Sequence, residues 1–591
     1  MKPAAPELAS DYYLGNFELL LEGCSRYLDI FPDELTKLRS AYLGCSKISR
    51  MLLVRLLSRK GEWFRTDKLN YPEIGELTPA IRGLKLAGLI DTASVPEPET
   101  WLKGVTLTEL RSALLTFQQR QDDMAALGQL NIARASKETL KQAILALEPQ
   151  YLPPLLSRLN ASLGIDWLAL KCQPLLDALL LLYFGNRYQD LSQFVLSDLG
   201  LQRFEVTALD QAHRAYDSPE QLGTALAFRL LSQQLDESLL ARQPLDIPLM
   251  LEQFNAVSPM PEANPLLERR RHKLLALIGR EAERQGQTSL AISVYSQCED
   301  WQATERLCRC LEKQAQWQPL THALLHLCEL AANESHWQII ERIGKRWLKK
   351  WPAGKGLPGL SLPDGDEVLD SLALRLQAIR ENMLAKITAP QAIALALTPN
   401  GERVELRVAA HFEALGYRAF FLENALLCGL FGLAFWDIIF APVKAVFDNP
   451  FQRSPRDMFT EAFVSRRQEA ITARLDEIAR DPAAVIWRHF QQKQGLENDW
   501  VYWEKLPQQA LELTLAALSG PKLVRVFQRM LGDLKHYRSG HPDLVLFDPQ
   551  GCISWLEVKG PGDKLADHQI YWLHFLNDLV GAQVCHVSWS S

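Results

Sequence analysis

The sequence predicts a multidomain chain, mostly helical through its N-terminal and central regions and closed by an α/β domain. Three observations predict it. At 591 residues the chain exceeds what a single hydrophobic core serves. Apolar residues recur at helical spacing almost everywhere from Glu7 to about Ala389. Convincing alternating, β-prone runs occur only in the last third. Prolines 149, 153 and 154, the Pro/Gly-rich run Pro352 to Pro363, and Pro390 and Pro399 punctuate the pattern, so breaks are expected near 150 and 385. These divide the chain into regions 1–149, 150–385 and 386–591.

A hydrophobic content of 47% and a charged content of 23% are ordinary for globular protein. The N-terminal text MKPAAPELASDYYLGNF holds no apolar run of signal-peptide length. The most apolar stretch, Ala425 to Ala441, is shorter than a membrane span and contains Asp437, so a buried segment of a soluble intracellular protein is expected. Ten cysteines lie scattered, and Cys308 with Cys310 is not a CxxC pair; neither a zinc finger nor a disulfide framework is supported. The net charge of −6 argues against wholesale coating by nucleic acid, but local basic patches can still bind phosphates.

In the first region an apolar helix, Met51 to Leu57, precedes the basic-aromatic run Arg59 to Arg65, and a second helix is expected over Leu77 to Leu86. Two helices with a short strand beyond resemble a small winged-helix arrangement. The basic-aromatic run reads equally as a phosphate contact or as a solvated turn with Trp63 and Phe64 in the core. Two amphipathic helices follow, Leu107 to Phe117 and Lys137 to Leu147, the second capped by Ser136. They look like a stretched SAP motif, a helix pair that lies on DNA. From Pro154 to about Ala385 helix follows helix, and Ala282, Gly286, Ala291 and Tyr295 are spaced as in a tetratricopeptide-type hairpin. Arg269 to Lys273 and Lys345 to Trp351 are basic runs that read either as solvated faces or as DNA contacts.

The segment richest in chemistry runs from Gly540 to Gly560. Two β-prone runs, Asp543 to Phe547 and Cys552 to Lys559, flank the turn sequence Asp548-Pro549-Gln550-Gly551, which reads as a hairpin. With Pro549 to Gly551 as the loop, Asp548 pairs with Cys552, and counting outward in step sets Asp543 opposite Glu557. Cα atoms so placed lie about 4.5 to 5.5 Å apart. Like charges there repel unless a cation sits between them, and hard divalent ions prefer carboxylate oxygens. Lys559 lies two residues past Glu557, so the strand's period of two puts all three charges on one face.

Pro542-Asp543 followed by Glu557-Val558-Lys559 resembles the signature of the PD-(D/E)xK nuclease superfamily, a restriction-endonuclease-like α/β fold. The text Gly540-His541-Pro542-Asp543, Glu557 to Leu565, Gln569 and Trp572 is similar to its VRR-NUC branch. Leu433 to Phe440, Ser465-Arg466-Arg467 and the N-terminal run Arg59 to Ile74 resemble the Fanconi-associated nuclease family, in a bacterial-type form without its ubiquitin-binding zinc finger.

The resemblance implies a metal site of Glu423, Asp543, Glu557 and the Val558 carbonyl, with Glu405 a weaker alternative to Glu423, and Lys559 catalytic beside Asp543 and Glu557. It implies a pocket for a 5′ phosphate near Lys535 and His568, with Arg538, Lys564 and Gln569 close in sequence. It also implies Mg²⁺ or Mn²⁺ as cofactor and branched or flapped duplex DNA with a 5′ end as partner. No membrane is involved, and the location expected is cytoplasmic, on the nucleoid. The activity implied is 5′-flap endonuclease and 5′→3′ exonuclease action in interstrand crosslink repair. A Holliday-junction resolvase and a catalytically inactive DNA-binding scaffold are the alternatives.

Overall fold

The computed structural model describes residues 9–118, 131–148, 150–185, 202–241, 243–257, 264–350, 365–384, 390–398 and 401–589. The Pro/Gly-rich run at 352–363, Pro149 and residue 385 lie outside them. The chain divides into two compact units, Met1–Leu201 with Asp217–Leu222, and Gln202–Tyr216 with Gly223–Ser591.

In the first unit, helices Lys47–Leu57 and Leu77–Leu86 are followed by short strands, as the sequence predicts. Ser46 caps the first of them by accepting from the Ser49 N–H. Strand β1 (Trp63–Arg65) and strand β2 (Ile90–Asp91) pair antiparallel with β3 (Trp167–Leu170), one on each side. The third strand therefore comes from beyond residue 150, and the expected break there falls inside this unit.

The basic-aromatic run is divided between core and surface. Phe64 is buried, and the buried Arg65 guanidinium is held by Asp67 and Glu109. Glu109 lies on the first of the two SAP-like helices, which span Leu107–Gln118 and Lys137–Leu145. Ser136 caps the second by accepting from the Thr139 N–H at 3.1 Å.

The second unit opens with stacked helices. Pro265–Arg284 and Thr288–Tyr295 form the hairpin expected from the small-residue spacing. Ala282 and Ala291 are fully buried, and a Cβ on Gly279 would strike the Tyr295 ring, so small residues permit the close approach. The first part of the run from Lys345 is absorbed by this solenoid, while Lys349 and Lys350 are exposed and Trp351 lies outside the described residues. Lys345 pairs with Glu341 and Arg346 with Glu312, while buried Trp347 donates to the Thr321 hydroxyl. In the other run, Arg270 and Arg271 lie against the Tyr216 and Phe254 rings.

The α/β domain is a five-stranded mixed sheet in the order β4-β8-β7-β6-β5. Its strands are β4 (Ala392–Leu397), β5 (Arg418–Phe421), β6 (Leu544–Phe547), β7 (Ile553–Lys559) and β8 (Ala582–Trp589). Strands β4, β8 and β7 run parallel to one another, whereas β6 is antiparallel to both β7 and β5. Helix α1 (Val404–Ala414) covers one face through Val408 and Ala409, packed with Leu544, Leu556 and Val558.

The other face packs on a larger helical core. It includes α2 (Ala425–Ala434), α3 (Gly520–Gly532) and α4 (Asp567–Leu579). All four residues of β6 are buried, as a strand covered on both faces requires. The apolar stretch from Ala425 is buried, as expected, and among the described residues no helix is long and apolar enough to cross a membrane.

Candidate active site

The hairpin holds the expected register. Leu544 faces Leu556 and Phe547 faces Ile553, and beyond the strands the Asp548 N–H donates to the Cys552 carbonyl at 3.0 Å. Gly551, at φ +84°, supplies the left-handed residue that closes the turn. Carried one step back from Leu544, this register sets Asp543 against Glu557.

The Asp543 side chain is anchored by its Oδ2, which accepts from the Val558 N–H at 2.9 Å. Its backbone carbonyl accepts from the Leu422 and Glu423 N–H groups, both at 3.1 Å, which ties the end of β5 to the hairpin. Glu423 turns the chain toward α2 at φ +45°, a conformation that non-glycine residues adopt rarely and chiefly where the surroundings enforce it. Its carboxylate is exposed. The adjacent Asn424 accepts the His541 N–H at 3.1 Å, so the residues flanking both acids are cross-tied.

Glu557 is fully buried. Its Oε1 accepts from Gln569 Nε2 at 2.6 Å and lies 2.8 Å from Lys559 Nζ. Lys559 Nζ also donates to Gln569 Oε1 at 3.1 Å, and the Ala566 N–H donates to the same oxygen at 3.0 Å. Glu557 Oε2 is buried with no partner. Burial pushes the Asp543 carboxyl up to about 6, aided by the charges of Glu405 and Glu423 and opposed by the Val558 N–H and Lys559. Burial and then the Asp543 charge push Glu557 up to about 7.

A buried acceptor without a partner is costly, and two facing acids with raised affinity for protons form a site that wants a cation. The oxygen-only donor chemistry fits a hard divalent ion. Among the described residues no group of three or more His, Cys, Asp or Glu side chains closes into a metal cage. The charges of Glu405 and Glu423 also bear on Asp543.

A cavity of about 530 Å³ lies alongside. Lys535, His536 and His568 line it from the nuclease side, and Gln302, Ser335 and His336 from the helical repeat. Gly540, at φ +88°, allows the approach, since a Cβ there would lie 2.4 Å from His568 Cδ2. Of the residues expected near a phosphate, Lys535 and His568 meet here. The other three stand elsewhere. Arg538 lies over the Phe459 and Trp500 rings and donates to the Asp499 carbonyl. Lys564 is exposed on the loop after β7, and Gln569 bridges Glu557 and Lys559. The helical-repeat wall was invisible in the sequence, because no local pattern links positions 302–336 to the hairpin.

Comparisons with known proteins give the chain's family. Residues 479–589 match the VRR-NUC domain, and residues 11–91 match the FAN1, HTH domain. A Fanconi-associated nuclease 1 homolog of Pseudomonas aeruginosa is 33% identical over 600 residues, covering 99% of this chain and 97% of its own. Fanconi-associated nuclease 1 of Homo sapiens is 26% identical and matches 98% of this chain with 62% of its own length. The crystal structure of paFAN1 bound to 2nt 5′flap DNA with gap superposes with a TM-score of 0.76 at 29% identity, covering 99% of this chain and 100% of that one. From its helix-turn-helix region to its carboxylate–lysine hairpin, this chain belongs to the Fanconi-associated nuclease family.

Proposed function

We propose that the protein is a structure-specific DNA nuclease that cuts 5′ flaps near the junction, degrades DNA 5′→3′, and serves interstrand crosslink repair with Mg²⁺ or Mn²⁺. The observation that carries the reading is the buried, unpartnered Glu557 Oε2 facing Asp543, with Lys559 held beside it. The likeness over nearly the whole chain to paFAN1, described as bound to 5′-flap DNA, supports the substrate.

Asp543, Glu557 and the Val558 carbonyl would hold the metal, with Glu423, next to the end of β5, as the further carboxylate the resemblance implies. When bound, a divalent cation supplies Lewis-acid polarisation of the scissile phosphodiester. Lys559, kept in place by Glu557 and Gln569, stabilises the charge that develops on the phosphate oxygens. Lys535 and His568 hold the terminal 5′ phosphate in the cavity, and Arg538 and Lys564 add positive charge along the path of the strand. The helix-turn-helix and SAP-like helices of the first unit bind the duplex.

The test is a cleavage map on 5′-flap, 3′-flap and four-way junction DNA, each with and without a 5′ phosphate. Wild-type protein should prefer the phosphorylated 5′ flap. Asp543→Ala should abolish cleavage while junction binding persists. Mg²⁺-dependent cleavage retained by pure Asp543→Ala protein would overturn the assignment, and a preference for four-way junctions would favour a resolvase.

A further inference from the structure

Glu334 opens the helix Glu334–Lys350 of the helical repeat, and both of its carboxylate oxygens bind the nuclease domain. Oε1 accepts from the Arg529 guanidinium of α3 at 2.7 Å, and Oε2 accepts from the Tyr537 hydroxyl at 2.6 Å. The neighbouring Asn333, itself buried, donates to Asp533 Oδ2 at 2.8 Å. Burial raises the Glu334 carboxyl, but the Arg529 charge and then the Tyr537 hydroxyl outweigh it and hold the group below its usual range. The carboxylate is therefore ionised at neutral pH.

From Glu334 two routes lead to one residue, His541. On the first, Arg529 lies over the Tyr537, Trp572 and Phe575 rings at 4.4, 5.2 and 5.0 Å. Trp572 in turn meets the His541 ring at 4.4 Å and 84°. On the second, the Tyr537 carbonyl accepts from His541 Nε2 at 3.0 Å. Tyr537, Trp572 and His541 are all buried. The His541 N–H donates to Asn424 Oδ1, so ring and backbone are both fixed. Pro542 alone separates this residue from Asp543, and its locked φ limits rotation between them.

Cohesion alone would be served as well by apolar side chains. Withdrawing an ion pair from water costs about as much as its attraction returns, and Arg529 Nε adds a buried donor without a partner. What a charge-assisted pair with directed hydrogen bonds supplies instead is a single register between the parts it joins. Here those parts are the helical repeat and the segment from Asp533 to Asp543.

We propose that Glu334 is a positioning residue of the nuclease centre, supplied by the helical repeat. Through Arg529, Tyr537 and His541 it fixes the segment on which Asp543 stands against Glu557. This rests on the metal reading above and adds that the carboxylate pair is set from outside the α/β domain. A displacement of the helix Glu334–Lys350 is thereby felt at the carboxylates.

The experiment uses the full-length protein without DNA and reads Mn²⁺ affinity by calorimetry, with the melting temperature measured alongside. Tyr537→Phe removes only the hydroxyl, and Glu334→Gln removes the charge at nearly constant volume. Each should weaken Mn²⁺ binding by about 2- to 30-fold, the range over which intervening side chains modulate coupled sites. The double variant should weaken it no further than Glu334→Gln alone, because the hydroxyl acts through the same carboxylate. Single-turnover cleavage at limiting Mg²⁺ should slow, while flap affinity measured in EDTA stays at the wild-type value. Glu312→Gln, which breaks the Arg346 pair about three turns farther along the same helix, should leave Mn²⁺ affinity unchanged.

Wild-type Mn²⁺ affinity in Tyr537→Phe and Glu334→Gln, whatever their melting temperatures, would overturn the proposal and leave the metal reading intact. Equal weakening by Glu312→Gln would overturn it too, since general loss of stability would then be the cause. A wild type that binds no Mn²⁺ would remove the metal reading, and this positioning role with it.

Discussion

The Gln569 side-chain amide donates to Glu557 Oε1 at 2.6 Å, while the carbonyl end of the same amide accepts from Lys559 at 3.1 Å. One side chain thus orients both the buried acid and the cation of the hairpin, and turns Glu557 so that Oε2 is left without a partner. Removing such an orienting partner generally costs 10- to 100-fold in metal affinity or activity. Gln569→Leu is therefore expected to lower the cleavage rate by about 10- to 100-fold and to weaken Mn²⁺ binding measured by calorimetry, with flap affinity little changed. Wild-type values for both rate and Mn²⁺ affinity would show that the bridge has no part in the site.

The paired acids also make stability depend on pH. In an unfolded chain carboxyls titrate near 4. In the fold Asp543 is raised to about 6 and Glu557 to about 7, so the native state binds protons more tightly than the unfolded state. Their contribution therefore favours folding at low pH and is lost as pH rises from about 4 through about 7. Relative to an Asp543→Asn/Glu557→Gln double variant, metal-free wild type should lose melting temperature between about pH 5 and pH 8 in scanning calorimetry. Added Mn²⁺ should raise the melting temperature more at pH 8 than at pH 5, because it competes with those protons. A pH-independent difference between the two proteins would refute this account.

In the first unit the dependence runs the other way. The Arg65 guanidinium, 2.7 Å from Glu109, holds that carboxyl down at about 2, with the Thr106 N–H assisting. A depressed folded value contributes stability above the unfolded carboxyl range, and this is lost as pH falls toward 2. Glu109→Gln should destabilise this unit by about 1–2 kcal/mol at neutral pH, since Arg65 is buried and, among the described residues, keeps only Asp67 as an acidic partner. The deficit should shrink steadily below about pH 4 in chemical denaturation. A deficit unchanged at pH 3 would mean that the ion pair is not its origin.

Gly540 packs against His568, a residue of the cavity, three positions before Asp543. Its φ of +88° and the 2.4 Å approach of His568 Cδ2 to a built Cβ leave no room for a side chain. Gly540→Ala should destabilise the α/β domain by about 2 kcal/mol or more and depress cleavage, through displacement of both His568 and the segment leading to Asp543. Unaltered melting and activity would mean that the loop can relax without cost.

The hairpin was legible in advance because everything that defines it is local. Turn chemistry at Pro549 to Gly551 sets the register, and the register faces Asp543 with Glu557. The helices at 77–86 and 137–145 and the tetratricopeptide-type hairpin were readable for the same reason, as periodicity, caps and small-residue spacing act within a few turns. The expected break near 150 fared differently. It fell at a proline cluster, yet β3, beyond it, completes a sheet with β1 and β2. Strand pairing across such a separation depends on which edges are open, and no local pattern records that.

The amino-acid sequence by itself determined the carboxylate–lysine hairpin, the family and the succession of helical regions before an α/β domain, because each is written in spacing or turn residues over short spans. Only the tertiary structure decided how those residues are used. It placed Gln569 across Glu557 and Lys559. It stacked Arg538 on aromatic rings and set Lys535 and His568 opposite a wall supplied by the helical repeat. Those relationships depend on packing between segments far apart in the chain, where shape and burial, rather than spacing, choose the neighbours.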